Sequence, residues 1–212
     1  GLVKDSITVK LIKYYRNGIR QYHQEIINNQ ANGQYFSWHS TGVKSAEGRY
    51  LNGELSDKWI WWGKNGLPDS IRTFRNEMLH GEYIDYFGNG KPHKLMDYVE
   101  NKKYGYYKEF DEKGKKVSVG EYRNDIPHGN WVWWQNKIKT RELTYDNGLK
   151  NGPFIIYNKL GKKKIIGQYK NNKKDGKWNW FSDQKGLDSL IVYNNNQYNG
   201  EYKIWHANGT QA

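Results

Sequence analysis

The chain has 212 residues, with 34 Lys+Arg against 22 Asp+Glu for a formal charge of +12, 23 Gly, 4 Pro and no Cys. Without Cys there are no disulfides, thiolate nucleophiles or thiolate metal ligands, so stability has to come from packing and backbone pairing. No apolar run reaches the roughly 18 to 20 residues of a membrane-spanning helix, and 10 Trp, 18 Tyr and 6 Phe supply enough buriable ring surface to exclude a disordered chain.

Residues 1–8 read as an N-terminal extension, and a repeat domain occupies 9–212. After a first, weaker unit at Val9, Gly33, Gly81, Gly105, Gly129, Gly152, Gly176 and Gly200 fall on one lattice of 24-residue steps. Asp57 fills the Gly slot once, and the step from Gly129 to Gly152 is one residue short. Nine units result, the last cut short. Counting each Gly as position one, the third position reads Leu11, Tyr35, Trp59, Tyr83, Tyr107, Trp131, Phe154, Trp178, Tyr202. The sixth reads Tyr14, Trp38, Trp62, Tyr86, Phe110, Trp134, Tyr157, Phe181, Trp205, and a later column, mostly the eighteenth, holds Tyr50, Phe74, Tyr98, Tyr122, Tyr145, Tyr169 and Tyr193.

Turn signals sit on the same lattice. Asn17-Gly18, Thr41-Gly42, Asn65-Gly66, Asn89-Gly90, Lys113-Gly114, Leu160-Gly161 and Asn208-Gly209 occupy positions nine and ten, where a tight hairpin needs residues that tolerate positive φ. A second turn follows the Tyr column, at Asn52-Gly53, Asn124-Asp125, Asn147-Gly148 and Asn171-Asn172. Each unit is therefore one β-hairpin, and helical caps and 3.6-residue periodicity are absent. The predicted fold is all-β: a single elongated antiparallel meander of about nine 24-residue hairpins, twisted or half-rolled into a ribbon. The first-position Gly marks a place where backbones or rings approach too closely for a Cβ.

Strand alternation puts the third and fifth positions on one face and the fourth and sixth on the other. The sixth-position rings are assigned to packing. Trp59, Trp61, Trp131, Trp133, Trp178 and Trp180, in the third and fifth columns, are expected to be exposed and to contact a protein partner, the alternative being that they are core.

Segments such as "NGLKNGPFIIYNKLGKK", "YRNDIPHGNWVWW", "YKNNKKDGKWNWF" and "FRNEMLHGEYIDYFGNGK" resemble MORN repeats in their bacterial repeat-variant form, from about Val9 to Ala212. The resemblance implies a scaffold that binds proteins or sits near membrane phospholipids; the bacterial variant carries an antitoxin label. It brings no catalytic motif to transfer, and fold by itself does not decide function. Asp57, the shortened sixth repeat and Gly186, one place late in repeat eight, depart from the family pattern and predict altered hairpin loops.

No enzyme signature appears among the polar residues: G-x-S-x-G, H-E-x-x-H and phosphate-binding Gly loops are all missing. His80 and His128 precede repeat glycines but lie two repeats apart, too far for joint metal ligation, and His23, His39, His93 and His206 read as turn or surface residues. Glu109, Asp111 and Glu112 sit among lysines in a charged turn. The expectation is no catalytic residue, no metal and no cofactor. Asn208-Gly209-Thr210 matches a glycosylation sequon but belongs to the turn lattice.

Basic charge concentrates between Lys150 and Lys177, with nine Lys against one acid, Asp175. Lys162, Lys163, Lys164, Lys170, Lys173 and Lys174 are the candidate contacts for an anionic surface, whereas the rings follow the fold's own repeat and make nucleic acid the weaker reading. Three roles follow: a non-catalytic scaffold serving as accessory subunit of a larger assembly, an antitoxin or immunity protein that neutralises a toxin by direct binding, and an anionic-lipid-binding module. A start at Gly1 reads as a processed product, and with the Lys- and Asn-rich composition it favours the bacterial cell envelope, periplasmic or surface-exposed.

Overall fold

The computed structural model describes residues 8–183, 186–206 and 210–212. They form 17 strands and no helix, all in one open antiparallel meander. The strands are β1 Thr8–Tyr14, β2 Arg20–Ile27, β3 Gln30–Trp38, β4 Lys44–Leu51, β5 Glu54–Trp62, β6 Pro68–Arg75, β7 Met78–Tyr86, β8 Pro92–Val99, β9 Lys102–Phe110, β10 Lys116–Arg123, β11 Ile126–Gln135, β12 Ile138–Asp146, β13 Leu149–Tyr157, β14 Lys163–Lys170, β15 Lys173–Ser182, β16 Gly186–Asn194 and β17 Gln197–Ile204. The N-terminal extension, apart from Thr8, and the Asn208-Gly209 turn lie outside the described residues. The chain divides into two compact units. One holds residues 1–104 and 112–114; the other holds 105–111 and 115–212.

Two kinds of turn alternate, as the lattice predicts. The turns after the Tyr column are two residues long with both residues at positive φ, from Asn28/Asn29 through Asn52/Gly53 to Asn195/Asn196. Asn supplies the first residue at nearly every one because its short amide tolerates the left-handed region that a type I′ hairpin demands. The turns inside each repeat are five-residue loops in which the first N–H donates to the fifth carbonyl, as in Gly63 to Leu67 at 2.9 Å and Phe87 to Lys91 at 2.8 Å. Asn65 Nδ2 then donates to Gly88 O of the next loop at 3.0 Å, which ties successive loops into a row. Repeat six, one residue short, closes on the two-residue turn Asn136/Lys137 instead. The repeat with Asp57 keeps both of its turns, contrary to expectation.

Asp57 and the first-position glycines all have positive φ inside a strand, at a point where the pairing shifts register. Gly152 has φ 115°, and a Cβ there would also lie 3.2 Å from Thr144 Cβ across the strand pair. At Gly33 the obstruction is the Glu25 side chain. The close approach is thus to the cross-strand side chain rather than to a backbone or ring, and a bulge sets the backbone demand. Asp57 adopts φ 59°, and its carboxylate lies 3.7 Å from Arg49, the residue that occupies the Glu25 or Thr144 position in its own repeat. Asp is among the residues that enter the left-handed region at modest cost.

A single-layer sheet buries a face only if its own side chains lie flat across neighbouring strands. The third-position tryptophans do this. Trp59 packs on Gly48, Trp131 on Gly120 and Trp178 on Gly167, each glycine lying on the preceding strand beneath the indole, where a Cβ would come within 2.1 to 2.3 Å of ring carbon. Each indole N–H then reaches the next carbonyl along that strand, Arg49 at 3.1 Å, Glu121 at 3.2 Å and Gln168 at 3.1 Å. Where the third position is Tyr or Phe, the residue beneath is larger: Gln24 under Tyr35, Arg72 under Tyr83, Leu143 under Phe154. Ring size and floor size are matched repeat by repeat, as a close-packed interior requires.

Candidate partner-binding surface

The third and fifth positions do share one face, but that face is where the sheet is most deeply buried. Trp59, Trp131 and Trp178 are 2%, 5% and 2% exposed. Edge-to-face contacts with the Tyr column seal them: Tyr50 on Trp59 at 5.0 Å, Tyr122 on Trp131 at 5.0 Å and Tyr169 on Trp178 at 5.2 Å. The expectation that these three rings are exposed is therefore corrected. They are core, because a glycine floor lets each indole sink into the sheet. The sixth-position rings, assigned to packing, are only half-buried on the opposite face, and Tyr14 is exposed.

Trp61, Trp133 and Trp180 remain half-buried. Each lies against the core ring of its own strand, at centroid distances of 5.6, 5.7 and 6.1 Å. A cation covers each one. Arg72 Cζ lies 5.2 Å from the Trp61 ring and 5.2 Å from Tyr83; Arg141 Cζ lies 3.7 Å from Trp133; Lys174 Nζ lies 5.7 Å from Trp180, 4.7 Å from Trp178 and 4.9 Å from Tyr193. These three cations come from three different lattice positions and reach equivalent rings, so the cation–ring pair recurs where its sequence position does not.

The six patch lysines do not converge. Lys162, Lys163 and Lys164 are exposed at the start of β14, while Lys170 and Lys173 face each other across the Asn171/Asn172 turn at its far end, about 23 Å away for an eight-residue strand. Lys174 is drawn onto the rings and contributes to the ring-bearing face instead. Elsewhere, Glu142 accepts from Lys139 at 2.8 Å and from the Tyr157 hydroxyl at 2.6 Å, and these two donors hold its carboxyl below the usual range. Burial, reinforced by Glu142, pushes the Tyr157 hydroxyl up to about 12. Burial first, with Glu82 second, raises Asp97.

Among the described residues, no group of three or more His, Cys, Asp or Glu side chains is placed to share a metal ion. His39 bonds the Trp62 carbonyl at 2.9 Å, in line with a turn role, and His128 lies 3.8 Å from Asp146; His23, expected at a turn or the surface, instead stands within β2, its ring 5.9 Å from Phe36 and its Nε2 buried. An open hollow of about 450 Å³ adjoins the shortened turn of repeat six, lined by residues that include Asn136, Ile138, Thr140 and Tyr157.

Arg72 and Arg141 are the residues that sequence reasoning passes over. Both stand on the inward face, at lattice positions that other repeats fill with residues from Gly48, Gly120 and Gly167 to Gln24 and Leu143 in the first case and from Ala46, Ser70 and Ser118 to Tyr22, Lys94 and Ile165 in the second, so only their guanidinium sets them apart.

No protein-family model matches the chain, and no curated protein matches it either.

Proposed function

We propose that the protein is a non-catalytic β-repeat scaffold that binds a protein partner through the ring-bearing face of its sheet, as an accessory subunit of a larger assembly. The observation that carries this reading recurs in both units: Trp61 in one, and Trp133 and Trp180 in the other, are half-buried, and each presents a positive charge on a ring fixed from behind by a buried neighbour. Aromatic and Arg side chains held rigidly lose little entropy on association and dominate binding energetics. Resemblance to MORN repeats points the same way. Affinity purification of the native protein followed by mass spectrometry tests it: a stoichiometric protein partner is expected, and repeated recovery of the chain alone counts against the scaffold role.

A second reading, an anionic-lipid contact, is favoured by the exposed run Lys162, Lys163 and Lys164 at the start of β14. Flotation with anionic vesicles should then weaken on neutralising these three, most visibly at low salt.

A further inference from the structure

Arg72 and Arg141 are costly choices for a sheet that has only to fold. The Nε of each is sealed from water with no acceptor, and neither side chain makes a hydrogen bond or ion pair among the described residues. Asp85, on the same face as Arg72, accepts the Tyr83 hydroxyl at 3.2 Å instead. Buried donors are almost always satisfied, and those that are not call for a reason. Equivalent positions elsewhere range from Gly48, Gly120 and Gly167 to Gln24, Met96 and Leu143 for Arg72, and from Ala46, Ser70 and Ser118 to Tyr22, Lys94 and Ile165 for Arg141, so packing accepts many side chains there and does not demand an arginine.

We propose that the Arg72–Trp61–Tyr83 and Arg141–Trp133 clusters are recognition points for the carboxylates of an acidic partner protein. This inference rests on the scaffold reading and names the chemistry of the partner. A ring beneath the guanidinium holds its plane, and the planar fork matches a carboxylate with two parallel N–H···O bonds. An arriving carboxylate meets the Nη end of each half-buried guanidinium, since only Nε is sealed from solvent. The net charge of +12 complements an acidic surface. Nucleic acid suits the face less well, because base stacking needs an open ring and Trp61, Trp133 and Trp180 are already covered by cations. Membrane headgroups have the fully exposed Lys162, Lys163 and Lys164 to meet, outside these clusters.

The test uses the full chain and a fluorescein-labelled Glu-Ser repeat peptide, with a Gln-Ser peptide as control, read by anisotropy at physiological salt. Only the Glu-Ser peptide is expected to bind. The double variant R72K/R141K keeps the charge but loses the fork, and should weaken binding about tenfold. K162Q/K163Q/K164Q removes more charge and should change it less than about twofold. R141S installs the small side chain that Ser70 and Ser118 provide in their own repeats, so it should melt no lower than wild type while binding more weakly. No binding of the Glu-Ser peptide, full retention in R72K/R141K with loss in the lysine triple, or tighter binding to single-stranded DNA or anionic vesicles than to the peptide would each overturn the proposal. A purified protein partner that binds R72K/R141K as well as wild type overturns it too while sparing the scaffold reading, whereas recovery of no partner strikes at the scaffold reading itself.

Discussion

Trp131 lies flat on Gly120, with its indole carbons where that residue's Cβ would be, 2.2 Å away, and its N–H on the Glu121 carbonyl. The same relationship joins Trp59 to Gly48 and Trp178 to Gly167, and the chain offers no third-position Trp without a glycine beneath it.

Gly120→Ala should therefore destabilise by about 1–3 kcal/mol, the range for overpacking a filled site. Adding Trp131→Tyr should recover part of that loss, because Tyr is the ring the lattice uses over larger floors. Urea unfolding of the two single variants and the double gives the coupling. Additive losses would mean that the ring and its floor are independent.

Truncation should separate the columns. Trp178→Ala, at a site 2% exposed, is expected to cost about 3–5 kcal/mol, and Trp62→Ala, half-buried on the other face, clearly less. Equal losses would show that the two faces share the core.

Much of this was legible in the residues alone. Both turn types, the nine-unit spacing and the pairing of third with fifth position follow from Gly, Asn and aromatic residues on one lattice. Which face is buried does not follow, since period-two alternation says that Trp59 and Trp62 point opposite ways without saying which way is in. The deciding feature is Gly48, a residue with no side chain to draw attention. Likewise, a run of lysines between Lys150 and Lys177 looks like one patch on paper, but β14 sets Lys164 and Lys170 near opposite ends of a strand.

At the first position, backbone conformation is limiting. Gly152→Ala should destabilise by about 1–3 kcal/mol, since φ 115° and the Thr144 contact both oppose a Cβ. Asp57→Gly should change stability by no more than about 0.5 kcal/mol, because its ion pair with Arg49 is exposed. Thermal melts of both variants check the contrast; a large loss at Asp57 would assign that carboxylate a further role.

Acid sensitivity should trace in part to Glu142. Its folded-state carboxyl titrates below the unfolded one, so the stabilisation it provides is present above the ordinary carboxylate range and is lost as pH falls through the folded value. Asp97, raised by burial, has the opposite sign, and its contribution is lost as pH rises through its folded value. Urea midpoints measured from neutral pH down to about pH 3 should fall less steeply in Glu142→Gln than in wild type. An unchanged slope would remove Glu142 from the acid response.

The sharpest measurement is a pair of one-repeat deletions followed by urea unfolding and circular dichroism. Removing residues 42–65 takes out Gly48 together with Trp59 and leaves every remaining ring on its own floor, whereas removing residues 152–175 sets Trp178 over Leu143. The first chain should fold as a shorter cooperative sheet and the second should be markedly less stable. Global unfolding of the first, or equal stability of the two, would contradict a fold governed by ring-on-floor packing between neighbouring hairpins.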